Sequence, residues 1–294
     1  MDSADLKVFE AVARLGGMNR AAGELHTVQS NVTARIRQLE EQLGVPLFQR
    51  HSRGVSLTEA GRRLLPYAAQ VTYLLTEARR AVTETGRPQG PLAIGALETT
   101  AALRLPPILT VYAARHPAVD LTLAPGTTCE LIDRVLDRRL DGAFVCGPVD
   151  HPDLTEEGVF REELVLITAP AVRKLDAVLS KPEAKIVVLR VGCSYRERLE
   201  QILARRGVTG LRRLEFGTID GIIGCVSAGL GISLLPRALV EGAGRSRKLA
   251  LHDLPRADAE VDTVFIRRRD AFVSSALAAF LDCARPAAFG AAAE

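Results

Sequence analysis

Gln29, Thr33 and Arg37 recur every four residues in the stretch QSNVTARIRQLEEQLG. That spacing sets an amide, a hydroxyl and a guanidinium on one face of a helix. The chemistry open to such a face is hydrogen bonding to base edges in a duplex. Gln pairs bidentately with adenine, and Thr donates, accepts or offers its methyl group to thymine. Ser30, Asn31, Arg35 and Arg37 suit phosphates or neighbouring bases. Val32, Ile36, Leu39 and Leu43 fill the opposite face of the same helix. Further on, Arg50 and Arg53 flank the polar turn of PLFQRHSRGVSLT, and guanidinium groups suit a narrow minor groove. A small helical bundle with a solvated polar face has the same periodicity. The arginine-bearing hairpin beside the helix favours DNA.

A second constellation is dispersed. The segments LETT (97–100), GTT (126–128), GCSYR (192–196) and GTID (217–220) each sit where a strand-like run gives way to a helix-like one. In open parallel sheets ligands bind at such junctions, and free N–H groups at helix starts favour anions. The candidate effector residues are Glu98, Thr99, Thr100, Thr127, Thr128, Gly147, Ser194, Tyr195, Arg196 and Thr218. Arg196 offers a charge for a carboxylate, whereas Glu98 repels an anion and attracts an amine. A carboxylate or an amino acid is the expected ligand. Helix capping explains any one Ser or Thr here; their recurrence at successive strand ends favours a cleft.

Catalytic patterns are missing. The chain has no G-x-S-x-G, no H-E-x-x-H and no P-loop, and its GLG at 229–231 precedes a strand instead of following one. Its five cysteines show no C-x-x-C pair, so no metal site, disulfide framework or cofactor is expected. Cys146 and Cys193 fall near the expected cleft without a basic activator, where small-residue packing is the plainer role. A binding protein is expected, not an enzyme. The charged start MDSADLKVFEAV carries no leader pattern, and no apolar run is long enough to cross a membrane; a cytoplasmic protein is expected. Net charge is +3, with 4% aromatic residues and no Trp, which permits contact with nucleic acid and disfavours base-stacking platforms.

The elements that must position these residues follow from period and punctuation. Leu6, Phe9 and Ala13 line a first helix ended by Gly16 and Gly17; Asn19 is read as the cap of a second helix that buries Ala21, Ala22 and Leu25. The helix of Gln29 comes third and ends at Gly44, followed by a two-stranded wing that closes at Thr58. This is a helix-turn-helix with a wing. A long helix follows, with Leu64, Ala68, Val71, Leu75, Ala78 and Val82 in one stripe, widened by Leu65 and Leu74, and with Pro66 near its start. It suits pairing with a second copy. After GRPQGP, strands and helices alternate, which predicts a parallel sheet covered by helices. The strands outnumber one small sheet, so two lobes are expected, crossed near Arg161–Leu164 and again near Asp262. The expected domains are 1–58 (winged helix), 59–88 (linker) and 89–294 (effector domain). Within the last, lobe 1 takes about 89–162 and 264–294, and lobe 2 about 163–263.

The stretches FEAVARLGGMNRAAGELH, QSNVTARIRQLEEQLGVPLFQR and LTEAGRRLLPYA, with VSAGLGISLLP further on, resemble the LysR-type transcriptional regulators over nearly the whole chain. The resemblance implies an α/β protein: an N-terminal winged helix-turn-helix, a long linker helix, and a C-terminal two-lobed domain similar to periplasmic binding proteins. It implies homodimers or homotetramers on interrupted dyad sites in double-stranded DNA near promoters. It also implies a small effector between the lobes that changes DNA bending and the recruitment of RNA polymerase. The chain departs from the family pattern at Val28, where Ser is common, at Ser30, where Pro is common, and at Ala34, where a basic residue is frequent. Val28 cannot cap a helix, which points to Thr27 as the cap.

Overall fold

A computed structural model describes residues 1–51, 54–175, 183–208, 210–241 and 248–289. The chain divides into two compact units, residues 1–85 with 137–139, and the remainder.

The first unit is built on α1 (Ser3–Leu15), α2 (Met18–Glu24) and α3 (Gln29–Leu43). Asp2 caps α1 by accepting from the Asp5 N–H at 2.8 Å, and Asp5 accepts in return from the Asp2 N–H at 3.1 Å. Gly16 and Gly44 end α1 and α3 in the left-handed conformation. Gly17, not Asn19, caps α2, which begins two residues earlier than its composition suggests. Phe9, Val12, Ala21, Val32, Ile36, Leu39 and Leu47 form a closed core. The wing pairs β1 (Phe48–His51) antiparallel with β2 (Gly54–Leu57). Thr58 then caps α4 (Glu59–Thr83), its Oγ1 accepting from the Gly61 N–H at 3.0 Å. A Cβ on Gly61 would stand 2.2 Å from the Leu47 carbonyl oxygen, so only glycine lets α4 start against the wing. The α4 stripe divides: Ala60, Leu64, Leu65 and Ala68 join the core, while Val71, Leu74, Leu75 and Val82 are exposed, Val82 at 86%.

The second unit holds a seven-stranded sheet ordered β10-β6-β11-β5-β3-β4, with β9 also on β6. Its strands are β3 (Gly90–Ala96), β4 (Val119–Pro125), β5 (Gly142–Cys146), β6 (Leu154–Thr168), β9 (Ser233–Pro236), β10 (Ala250–His252) and β11 (Glu260–Arg268). In lobe 1, α6 (Leu105–Arg115) and α12 (Ser275–Phe289) cover one face, around Phe144, Phe160, Phe265 and Phe280. On the other face lies α7 (Thr128–Leu136). A short helix, α5 (Glu98–Leu103), leads into α6. In lobe 2, β7 (Glu183–Val188) and β8 (Gly210–Glu215) run parallel. There α8 (Ser194–Arg205) packs on one side, and α9 (Ile219–Ser227) with α10 (Arg237–Glu241) on the other. The one-turn α11 (Arg256–Ala259) precedes β11. Leu164 and Leu166 enter one lobe 2 core while Val165 and Ile167 enter the other. Burial on both faces is why LVLI is apolar without alternation.

The expected parallel sheet is found in part. β3 is parallel to β4 and β5, but β6, β9, β10 and β11 pair antiparallel. The chain enters lobe 2 along β6 and leaves it along β11, so those strands must run in opposite senses. Their register shifts between Thr263 and Val264. There Arg161 meets Asp262 at 2.9 Å, and buried Glu162 holds Arg104 in two bonds of 2.8 and 3.1 Å. The GLG is architectural: Gly229 has φ +80°, and a Cβ on Gly231 would lie 2.7 Å from the Lys185 carbonyl oxygen.

Candidate functional site

On α3 the apolar positions Val32, Ile36 and Leu39 are buried, which turns Gln29, Ser30, Asn31 and Arg37 to solvent. Thr33 is half-buried; its hydroxyl oxygen is covered and meets no partner among the described residues. Arg35 is not on this face. Two residues past Thr33, about 200° around the helix, it turns to α1 and pairs with the buried Asp5 at 3.0 Å. The reading of Arg35 as a DNA contact is corrected on that ground: it ties α3 to α1. Arg50 lies in β1, but its side chain, like the whole of Arg53, is outside the described residues. Val28, not Thr27, is the N-cap of α3, and it makes no side-chain cap bond; Thr27 Oγ1 instead accepts from Asn31 Nδ2 at 2.9 Å. An N-cap without a side-chain acceptor forgoes about 0.5–2 kcal/mol of helix stability.

In the second unit all four junctions converge on one cavity of about 370 Å³ between the lobes. Lobe 1 contributes Glu98, Thr99, Thr127 and Thr128; lobe 2 contributes Ser194 and Tyr195. Polar links among the described residues span the gap. Glu98 Oε1 accepts from the Ile219 N–H at 3.1 Å, Ser194 Oγ donates to Thr128 Oγ1 at 3.0 Å, and Arg190 lies 3.3 Å from Glu130. The Thr127 backbone N–H, bonded to Glu130 at 2.9 Å, holds that carboxyl below its usual pKa, and nearby Arg190 lowers it further. Thr99 is 3% exposed, and its hydroxyl oxygen has no hydrogen-bond partner among the described residues. The Tyr195 phenol lies near it but outside ordinary hydrogen-bond geometry; burial pushes that phenol far above its normal pKa. Leu97, Pro125, Leu189 and Phe216 make the remaining wall largely apolar.

Four expected residues stand away from this cavity. Arg196 is held by Glu200 at 3.2 Å and Glu215 at 2.9 Å; one turn along α8 and beside β8, two carboxylates satisfy it. Thr218 caps α9 by accepting from the Gly221 N–H at 3.3 Å, so it works as a cap. Thr100 is buried inside lobe 1, on the inward side of α5. Gly147 lines a neighbouring depression with Asp150 and His151, because β5 ends just before it. Among the described residues that line the cavity, the cation is Arg190, in the loop before α8. No junction pattern marked it, since it precedes the glycine of GCSYR. Cys146 and Cys193 both reach the cavity, and burial raises both thiols above their ordinary pKa. Thiol, not thiolate, is the resting form, which fits packing better than redox chemistry. Among the described residues no three His, Cys, Asp or Glu gather as a metal site, and no helix is long and apolar enough to cross a membrane.

A winged helix-turn-helix carried with a two-lobed, solute-binding-type domain defines a DNA-binding regulator. Residues 3–62 match the family model described as bacterial regulatory helix-turn-helix protein, lysR family, and residues 85–288 match the LysR substrate binding domain. The chain belongs to the LysR family of transcriptional regulators. It is 48% identical over 286 residues to the uncharacterized HTH-type transcriptional regulator YusT of Bacillus subtilis, covering 97% of this chain and 96% of that one. It is 44% identical over 276 residues to GltR of the same organism, covering 94% and 93%. Among solved structures, full-length CbnR with its target DNA matches at a TM-score of 0.69 and 22% identity, covering 98% of this chain and 100% of that one. A full-length OxyR variant from Pseudomonas aeruginosa matches at 0.70 and 19%, covering 97% and 98%. At that identity both show the fold.

Proposed function

We propose that this chain regulates transcription in response to a small effector held in the cavity between its lobes. The observation that carries the reading is the cavity itself: four strand-to-helix junctions from two lobes meet there, with a covered Thr99 hydroxyl lacking a partner among the described residues. The wall suits a ligand with an apolar body and opposed polar ends, such as an amino acid. A ligand carboxylate would bond Thr128, Ser194 and the first N–H groups of α7 and α8, and its ammonium would face Glu98. A simple carboxylate is the second reading, favoured by Arg190. Glu98, Ser194 and Arg190 already bridge the lobes, so a ligand must break or replace those links, which couples occupancy to lobe closure.

DNA contact is assigned to Gln29 and, through its methyl group instead of its covered hydroxyl, Thr33 for base edges, to Ser30, Asn31 and Arg37 for phosphates or neighbouring bases, and to Arg50 and Arg53. The exposed Val71, Leu74, Leu75 and Val82 on α4 supply the apolar face through which two copies pair, so that two α3 helices span an interrupted dyad. The reading extends to tetramers, to RNA polymerase as a partner at the promoter, and to the cytoplasm. The test is thermal unfolding of the full chain against a panel of amino acids and small carboxylates. A ligand at 100 times its Kd should stabilise the second unit by about 2.7 kcal/mol. Glu98→Gln should abolish the response to amine-bearing ligands and spare simple carboxylates. No stabilisation by any member of the panel removes the proposed ligand class.

A further inference from the structure

Val28 is 64% exposed at the start of α3, while Val32, Ile36 and Leu39 behind it are buried. Its backbone is extended, with φ −95° and ψ 150°, and its carbonyl accepts from the Asn31 and Val32 N–H groups at 3.1 and 3.3 Å. The side chain therefore sits at the N-cap with no hydrogen bond to give and little apolar surface to cover. Ser, Thr, Asn or Asp would cap the helix better, and a solvent-facing branched aliphatic gains nothing from the core. The folded chain leaves most of this side chain in solvent and gives it no cap bond. Gln29, Ser30 and Asn31, exposed next to it, are all polar.

The N-terminal end of a recognition helix is the part that meets base edges. Donors and acceptors dominate the major groove, and its one apolar landmark is the 5-methyl group of thymine. We infer that Val28 is a specificity-determining residue that reads a thymine methyl in each half-site, beside the base pair taken by Gln29. The inference rests on α3 lying in the major groove, as proposed above. It assigns the apolar part of the readout to the cap position, where this chain has carbon in place of a hydroxyl.

The test starts by selecting preferred duplexes from a random pool with the full-length protein. Each thymine of the selected site is then replaced singly by deoxyuridine, which removes only the methyl group. The wild-type protein should lose about fourfold in affinity at one thymine per half-site, the worth of one buried methyl. Val28→Ala should bind the thymine and uracil duplexes nearly alike at that position. Val28→Ser should do the same while melting no lower than the wild type, because it regains a cap; that variant separates lost reading from lost folding. A flat uracil scan overturns the inference, as does a penalty that survives in Val28→Ala and Val28→Ser. A penalty lost only in Thr33→Ser would reassign the methyl contact to Thr33 and overturn it equally. Failure to select any preferred duplex would sink the groove placement of α3 itself, a result distinct from a selected site with no Val28-dependent thymine.

Discussion

The outer face of α3 and the cavity between the lobes use the same residue types in opposite ways. On α3, Gln29, Ser30, Asn31 and Arg37 face outward from one element whose other side is core. In the cavity, Glu98, Thr128, Ser194 and Arg190 face inward from separate segments that only the folded chain brings together. The first site is a surface that one helix can present alone, given a core to lean on. The second exists only when two lobes meet. The outward-facing side chains of α3 are thus free to vary without loss of fold, whereas cavity side chains serve binding and lobe contact together.

The largest effect that would break this contrast is on the support of α3. Ile36→Ala, from a position only 1% exposed, should cost the first unit about 2–5 kcal/mol in denaturant unfolding and take DNA binding with it. Gln29→Ala, on the solvent face of the same helix, should change stability by no more than about 0.5 kcal/mol. It should weaken the specific site by about 1–3 kcal/mol while leaving non-specific binding intact, read by titration against specific and scrambled duplexes. Equal losses on both duplexes would count against base reading by Gln29. In the cavity the two roles should be inseparable. Ser194→Ala removes the bond to Thr128 and should lower the stability of the second unit by about 0.5–1.5 kcal/mol even without ligand. A variant as stable as wild type would show that the lobes do not depend on that bridge.

The smallest effect concerns pH. Tyr112 donates to the Ala276 carbonyl at 2.9 Å inside lobe 1, and burial pushes its phenol from 10.0 up to about 12. The neutral form is favoured in the folded state. Its contribution is therefore whole below pH 10 and is lost as pH rises from there through about 12. Tyr112→Phe should flatten that alkaline limb of the second unit's stability, followed by unfolding and by phenolate absorbance.

Charge shows how far a sequence can be read. Arg35 and Arg37 look alike as letters, yet one pairs with Asp5 thirty residues away and the other faces solvent. Helical phase separates them, but the partner on α1 is visible only in three dimensions. The junction pattern points to Arg196, yet Arg190 is the one that reaches the cavity. Glu200, one turn along α8, is in view as a partner for Arg196, but Glu215 on β8 is not. The crossing of β6 and β11 left a mark in the sequence near Arg161 and Asp262, whereas their antiparallel sense did not. Alternation of strand and helix carries no record of a chain that leaves a lobe and returns.

Periodicity and turn chemistry alone determined the helix-turn-helix, its wing, the long α4 and the alternating strands and helices behind them. Each depends on neighbours within a few residues, where backbone geometry fixes which side chains share a face. Tertiary structure decided which threonines line the cavity, which arginine reaches it, and where the apolar stripe of α4 stops being core. Those outcomes depend on contacts between segments far apart in the chain. Burial and pairing at such contacts are properties of the assembled fold, and no local spacing encodes them.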